Sequence, residues 1–112
     1  MSAPRLDLSE ELCTELWVSL ASLLRSYTAV HGLHANREAE IEQTIGKITV
    51  RHGQKWLSLA RNHAHLNWTR DNGNSGTLEI TESGTLLGPD GEEAMDLAAE
   101  AWARSLMQEE KR

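Results

Sequence analysis

The spacing of the hydrophobic residues changes twice along this chain, and that change constrains the fold more than any other feature of the sequence. Between Leu12 and Tyr27 apolar residues recur every three to four positions, which is the period of a helix with one buried face. From about Glu38 the period drops to two, as in a β-strand, and in residues 93–106 the helical period returns. The order of helix, strands and helix predicts an α+β fold.

The first helix is predicted to begin near Asp7 or Ser9. Asp7 is followed three residues later by Glu10, which is the spacing of a capping box, and acidic residues suit the positive end of a helix. Gly32 is the predicted C-cap. The predicted buried face of this helix holds Leu12, Cys13, Leu16, Trp17, Leu20, Leu23, Leu24 and Tyr27.

Short connections between the alternating segments favour a meander of antiparallel strands. The first strand begins near Glu38, and its phase shifts beside Gly46 as a β-bulge would shift it. Strand, helix extension and loop all stay open for residues 34–44, because their composition is also compatible with a helical turn. Further strands are predicted at 55–61, 63–70 and 77–82, with a short fifth strand at 85–87. The sheet is predicted to end at residues 88–91, after which Asp90 and Glu93 have the spacing of a second capping box.

The predicted architecture is a two-layer α-β-β-β-β-(β)-α fold, with both helices packed on one face of a meander of four to five antiparallel strands. Residues 1–112 are predicted to form a single domain, with its core in 7–107 and frayed ends at 1–5 and 109–112. The strand residues predicted to face the helices are Ile48, Val50, Leu57, Leu59, Leu66, Trp68, Leu78, Ile80 and Leu86. Their alternates, Thr49, Ser58, His65, Asn67, Thr69, Thr77, Glu79 and Thr81, are predicted to form an exposed face.

Composition excludes several classes of protein. The net charge is −6, and segments 1–42 and 83–112 each carry an acidic excess, which disfavours non-specific binding to nucleic acid. The chain has no apolar run of about 18 residues that would cross a membrane and no N-terminal signal-peptide pattern. Cys13 is the only cysteine, so an internal disulfide and a cysteine-based zinc site are excluded. A cytoplasmic protein without a cofactor is expected.

No catalytic or cofactor motif is present, so an enzyme is not expected. Cys13 falls on the buried stripe of the first helix and is predicted to be a core residue rather than a nucleophile. The remaining classes are an interaction module, which is the leading prediction, and a metal-binding protein.

Trp56 carries the leading prediction. Alternation places it on the sheet face away from the helices, where an exposed tryptophan is typical of a binding hot spot; the alternative is that it lies folded under the turn or against the first strand. If it is exposed, Trp56 with His65, Asn67, Lys47 and Thr49 forms a small mixed patch. The sequence therefore predicts an adaptor that binds a protein partner or itself, as a homodimer, through this face or an edge strand.

The metal alternative depends on histidines and carboxylates. His63 and His65 are two residues apart on a predicted strand, so both imidazoles would point to the same side and could share a divalent cation, with Glu79 or Glu82 across the hairpin. Solvated surface histidines are the plainer interpretation. Three carboxylates at Glu38, Glu40 and Glu42 would form a row that binds cations weakly, or one that opposes pairing between sheet edges, which is favoured.

The segment Gln54-Lys55-Trp56-Leu57-Ser58, the later strand with His65 and Trp68, and the acidic first helix come in an order of elements that is similar to the frataxin family, which are small acidic iron-binding partners of cluster assembly. The chain departs from that family because it lacks the Asn/Gln/Pro strand motif before the tryptophan and is short of strand between residues 44 and 56. The resemblance implies an acidic cation-binding ridge at Glu10, Glu11, Glu15, Glu38, Glu40 and Glu42.

Overall fold

The computed structural model of the chain describes residues 9–32 and 39–108; the ends predicted to fray, 1–5 and 109–112, lie outside these residues. The elements in chain order are α1 (Glu10–Gly32), β1 (Glu40–Gln43), β2 (Lys47–His52), β3 (Lys55–Asn62), β4 (His65–Arg70), β5 (Ser75–Ile80), β6 (Thr85–Gly88), β7 (Gly91–Ala94) and α2 (Met95–Met107). The strands form one antiparallel sheet in the order β1 to β7. The predicted two-layer α+β meander with flanking helices is confirmed, with seven strands instead of four to five.

Helix α1 begins at the second of its two predicted starts. The backbone N–H of Leu12 donates to Ser9 Oγ at 3.0 Å, and the N–H of Cys13 donates to the Ser9 carbonyl at 3.0 Å. Ser9 is therefore the N-cap, while Asp7 lies outside the described residues. The buried face is the predicted one, since Trp17, Leu20 and Leu24 have no exposed surface.

The predicted β-bulge beside Gly46 is wrong, because the shift in alternation there is caused by a hairpin turn. Residues 44–46 join β1 to β2, and the Thr44 N–H donates to the Lys47 carbonyl at 2.8 Å. Ile41 then pairs with Val50. A turn that reverses the chain resets which residues face the core, and the sequence shows this as the same phase shift that a bulge produces.

The predicted capping box at Asp90 and Glu93 is also wrong. Gly88 pairs with Gly91, which makes Pro89-Asp90 a two-residue turn between β6 and β7, and Glu93 pairs with Leu86. Helix α2 begins at Met95, and its N-cap residue makes no side-chain capping hydrogen bond. Asp and Gly favour tight turns as well as helix starts, so the spacing alone did not discriminate between them.

The turn between β3 and β4 lies two residues later than predicted. β3 continues to Asn62, which pairs with His65, and His63-Ala64 make the turn. His63 has a φ of 59°, in the left-handed region that is uncommon for residues other than glycine. The predicted strand 63–70 therefore begins at His65.

The core lies between the helices and the inward face of the sheet. Most of the strand residues predicted to face the helices, including Leu57, Leu59 and Leu66, are buried. The rings of Trp68 and Trp102 meet at 6.4 Å between centroids. Gly76 is required opposite Trp68, because a Cβ there would lie 2.7 Å from the indole nitrogen. Among the described residues, neither helix is long and apolar enough to cross a bilayer.

Candidate functional site

The sheet face opposite the helices, called here the outer face, has a centre of small polar side chains. One row across the sheet consists of Thr49, Ser58, Thr69 and Ser75. The next row consists of Lys47, Ala60, Asn67 and Thr77. Apart from Lys47, these side chains are short and uncharged and lose little conformational entropy when they are covered. The centre of the outer face is therefore suited to contact with another surface.

Trp56 lies on the outer face at one end of β3. Its cross-strand partner is Arg51 on β2, and 37% of its surface is exposed, whereas Trp17 is fully buried. The indole is a large contact surface with few rotatable bonds, and such residues dominate binding energies in protein interfaces.

Hydrogen bonds hold the backbone of Trp56 in place. Its N–H donates to Asp71 Oδ1 at 3.1 Å, and its carbonyl accepts from the Asp71 N–H at 3.2 Å and from Arg70 Nε at 3.2 Å. A side chain presented from a rigid backbone loses less entropy on binding than one on a mobile loop. The backbone that presents the Trp56 indole is therefore held by three hydrogen bonds.

The carboxylate of Asp71 is held in its charged form. Partial desolvation raises its pKa, but the hydrogen bonds from the backbone N–H groups of Trp56 and of Asp71 itself, together with the Arg70 charge, outweigh this effect and place the pKa below its usual range. Arg70 donates to Asp71 Oδ1 at 3.3 Å and to Ser105 Oγ of α2 at 3.1 Å. The support of Trp56 is thus continuous with the helix layer.

The C-terminus of α2 is bound to the same end of the sheet. Lys55 Nζ donates to the Gln108 carbonyl at 2.8 Å, and His52 Nδ1 donates to the Leu106 carbonyl at 3.2 Å. Basic groups suit the unpaired carbonyls at the end of a helix. These contacts fix the β2–β3 hairpin from which Trp56 projects.

The other predicted patch residues lie on the outer face with Trp56, but they form a strip along the sheet and not a compact patch. Lys47 and Asn67 flank Ala60, and Thr49 lies one row nearer to Trp56. His65 lies opposite Asn62 at the far end of β3, about 20 Å from Trp56 at ~3.4 Å per residue. Trp56 and His65 can touch one partner surface only if it spans most of the sheet.

The two histidines of the predicted metal site belong to different elements. His63 is in the β3–β4 turn, where its Nδ1 donates to Glu10 Oε1 at 3.1 Å, so the expected pair of imidazoles on one strand is wrong. His65 is on β4, and Glu79 is its direct cross-strand neighbour, as predicted; Glu82 lies in the turn after β5. Within residues 9–32 and 39–108, no three His, Cys, Asp or Glu side chains converge on a metal position. Cation binding stays a prediction.

Arg61 organises the opposite end of the sheet, and the sequence reasoning missed it. Its side chain is 3% exposed, and its guanidinium donates to Glu10 Oε2 at 3.1 Å, the Ile45 carbonyl at 3.0 Å and the His63 carbonyl at 3.1 Å. The group lies 5.7 Å from the Trp17 ring centroid. The sequence did contain a signal for this role. Arg61 alternates in step with Leu57 and Leu59, which face the core, and a charge at an inward position needs partners.

This contact accounts for one member of the predicted acidic ridge. The hydrogen bonds from His63 and from Arg61 hold the pKa of Glu10 below its usual range. Burial raises the pKa of the neighbouring Cys13 thiol, in keeping with a core role. The remaining described members of the ridge, Glu11, Glu15, Glu40 and Glu42, are exposed, and Glu38 lies outside the described residues.

Comparison of the chain with protein-family models, with curated proteins and with solved structures gives no match in any of the three.

Proposed function

We propose that this protein is a non-enzymatic interaction module that binds a different protein transiently through the outer face, with Trp56 as the anchor. The observation that carries the proposal is the exposed indole of Trp56 on a backbone held by Asp71 and Arg70. A single cysteine without a disulfide partner supports a reducing compartment such as the cytoplasm.

The size of the outer face supports a transient complex. Seven strands at ~4.8 Å spacing and about six residues at ~3.4 Å each give a face of roughly 600 Å². A stable interface buries about 800 Å² on each partner. The outer face by itself therefore supports a weak or short-lived contact better than a permanent dimer.

Charge argues for a different protein over a second copy. Two chains that each carry a net charge of −6 repel one another. Both sheet edges add to this effect, since β1 carries Glu40 and Glu42 and β7 carries Glu92 and Glu93. Charged edge strands oppose edge-to-edge pairing between copies, which leaves the outer face as the better contact surface.

The test compares Trp56→Ala with Leu97→Ala, a control on α2 in the opposite layer whose side chain is 58% exposed. Proteins retained by the immobilised wild type from the cells that express it are identified, purified and titrated against all three forms. We expect Trp56→Ala to weaken the direct interaction at least ~tenfold, as a hot spot does, and Leu97→Ala to change it less than about twofold.

Amide shifts in a ¹H–¹⁵N spectrum of the wild type should then map to the outer face on addition of that partner. Equal loss of affinity in both variants, or shifts centred on the helices, would contradict the proposal. A melting temperature of Trp56→Ala close to that of the wild type is the check that the variant is folded.

A further inference from the structure

We infer that the partner of the outer face is a basic protein, and that an arginine or lysine of that partner lies on Leu87 between Glu79 and Glu92. The inference rests on the proposed function and adds to it the chemistry of the partner and the orientation in which it docks.

The charge on the outer face is unevenly distributed. Residues 71–103 contain eight acidic residues and no lysine, arginine or histidine. Two of the eight are paired inside the molecule: Asp71 with Arg70, and Glu100 with His31 and Arg104. The other six, Glu79, Glu82, Asp90, Glu92, Glu93 and Asp96, are exposed. Of these six, Glu79 and Glu92 lie on the outer face and Glu82 and Asp90 lie in turns beside it, whereas Glu93 pairs with the buried Leu86 and Asp96 lies on α2. The charged residues that β5–β7 present on the outer face are therefore all acidic.

The β1–β3 side of the same face has mixed charge. Arg51 stands opposite Glu40 and Glu42 stands opposite Thr49, while Lys47 lies on the same face of β2, so two basic residues accompany two acidic ones. A partner with a uniformly basic surface meets attraction at β5–β7 and no net attraction at β1–β3. The difference favours one docking orientation over its reverse, since charge complementarity sets register and rejects misaligned partners.

One row of residues across β5, β6 and β7 places an exposed apolar side chain between two carboxylates, an arrangement that suits a basic side chain. Leu87 pairs with Glu79 on one side and with Glu92 on the other, and 43% of its surface is exposed. Thr85 Oγ1 donates to Glu92 Oε2 at 2.5 Å, which positions that carboxylate. Arginine and lysine place an apolar stem on hydrophobic surface and a charged head beside carboxylates. This row, Glu79-Leu87-Glu92, is called here the acidic row.

The probe for the acidic row is a short blocked peptide with two arginines separated by glycine, titrated into the full-length protein at low salt and followed by ¹H–¹⁵N spectra. We expect shifts centred on residues 79, 87 and 92, and none with the matching peptide that carries glutamates. Glu79→Gln with Glu92→Gln should weaken binding about fivefold, and 0.5 M salt should weaken it further.

The matched control is Glu11→Gln with Glu15→Gln, which removes the same charge from exposed positions of α1. If this control weakens peptide binding as much as the acidic-row variant does, or if the shifts lie elsewhere, the inference is overturned. Against the identified partner, loss with Trp56→Ala but not with the acidic-row variant refutes this inference alone. Retention of binding by both variants refutes the proposed function itself.

Discussion

Each end of the sheet pairs an arginine with a tryptophan, and the two tryptophans have opposite surroundings. At one end Arg61, 3% exposed, donates to backbone carbonyls of two turns and lies over the ring of Trp17, which is fully buried. At the other end Arg70, 11% exposed, donates to the backbone carbonyl of Trp56, a residue that is 37% exposed.

The difference lies in which part of the tryptophan the arginine contacts. Arg61 covers the indole face, and the Trp17 indole N–H donates to the Thr44 carbonyl at 2.8 Å, so that ring joins the helix layer to the β1–β2 turn. Arg70 binds the main chain of Trp56 and leaves its ring at the surface. One end therefore contributes stability, and the other leaves an indole at the surface, where we propose that a partner binds.

Replacing the two tryptophans is the strongest test of this comparison. Trp17→Ala should lower the free energy of unfolding by about 3–5 kcal/mol, because it leaves a cavity in the core. Trp56→Ala should lower it by less than about 1 kcal/mol, as surface substitutions do. Urea denaturation followed by circular dichroism measures both. Similar losses in the two variants would mean that Trp56 belongs to the core and that the two ends do not differ.

Replacing the two arginines should give a smaller contrast. Arg61→Ala leaves the carbonyls of Ile45 and His63 without their side-chain donor and is expected to lower stability by about 2 kcal/mol. Arg70→Ala should lower it by about 1 kcal/mol, because water can replace its more exposed contacts. Thermal melts give the ranking, with Arg25→Ala on the exposed side of α1 as the control. An Arg70 variant less stable than the Arg61 variant would reverse the assignment of the two ends.

The smallest expected effects are on the dependence of stability on pH. The pKa values of Glu10 and Asp71 lie below their ordinary values of 4.5 and 3.8 in the folded protein. A lowered carboxyl pKa stabilises the fold at pH values above the ordinary pKa, and this stabilisation is lost as pH falls through the folded-state pKa. Glu10→Gln should flatten the decline below pH 4.5, and Asp71→Asn the decline below pH 3.8.

The measurement is the free energy of unfolding across that acidic range. The two effects should add, since the residues lie at opposite ends of the sheet. A decline in Glu10→Gln as steep as in the wild type would show that the contact with Arg61 and His63 does not persist in solution.

Much of the fold followed from the sequence, because side-chain alternation is a local property. Leu57, Leu59 and Leu66 were placed inward by parity with their own neighbours, and the buried face of α1 by its helical period. Trp56 was placed on the outer face in the same way, as an alternate of Leu57. None of these placements depends on knowing which strands pair with each other.

The strand β7 was missed, and β1 was predicted only as the first part of one longer, bulged strand, for the opposite reason. Their sequences, Glu-Ile-Glu-Gln and Gly-Glu-Glu-Ala, are poor in the β-branched and aromatic residues that strands favour. They are extended because β2 and β6 offer open edges to pair with, and the turns at 44–46 and 89–90 bring them there. Pairing of this kind depends on tertiary contacts, which the strand propensities of individual residues do not include.

The sequence by itself determined which residues form the core, which face of α1 is buried and which face of the sheet is left to solvent, since these depend on periods of two and 3.6 residues. Only the tertiary structure decided that Arg61 joins three segments, that His63 and His65 belong to different elements, and that Glu79 and Glu92 flank Leu87. These arrangements depend on the register between strands that are distant in sequence, and an ion pair or a row across a sheet exists only once that register is set.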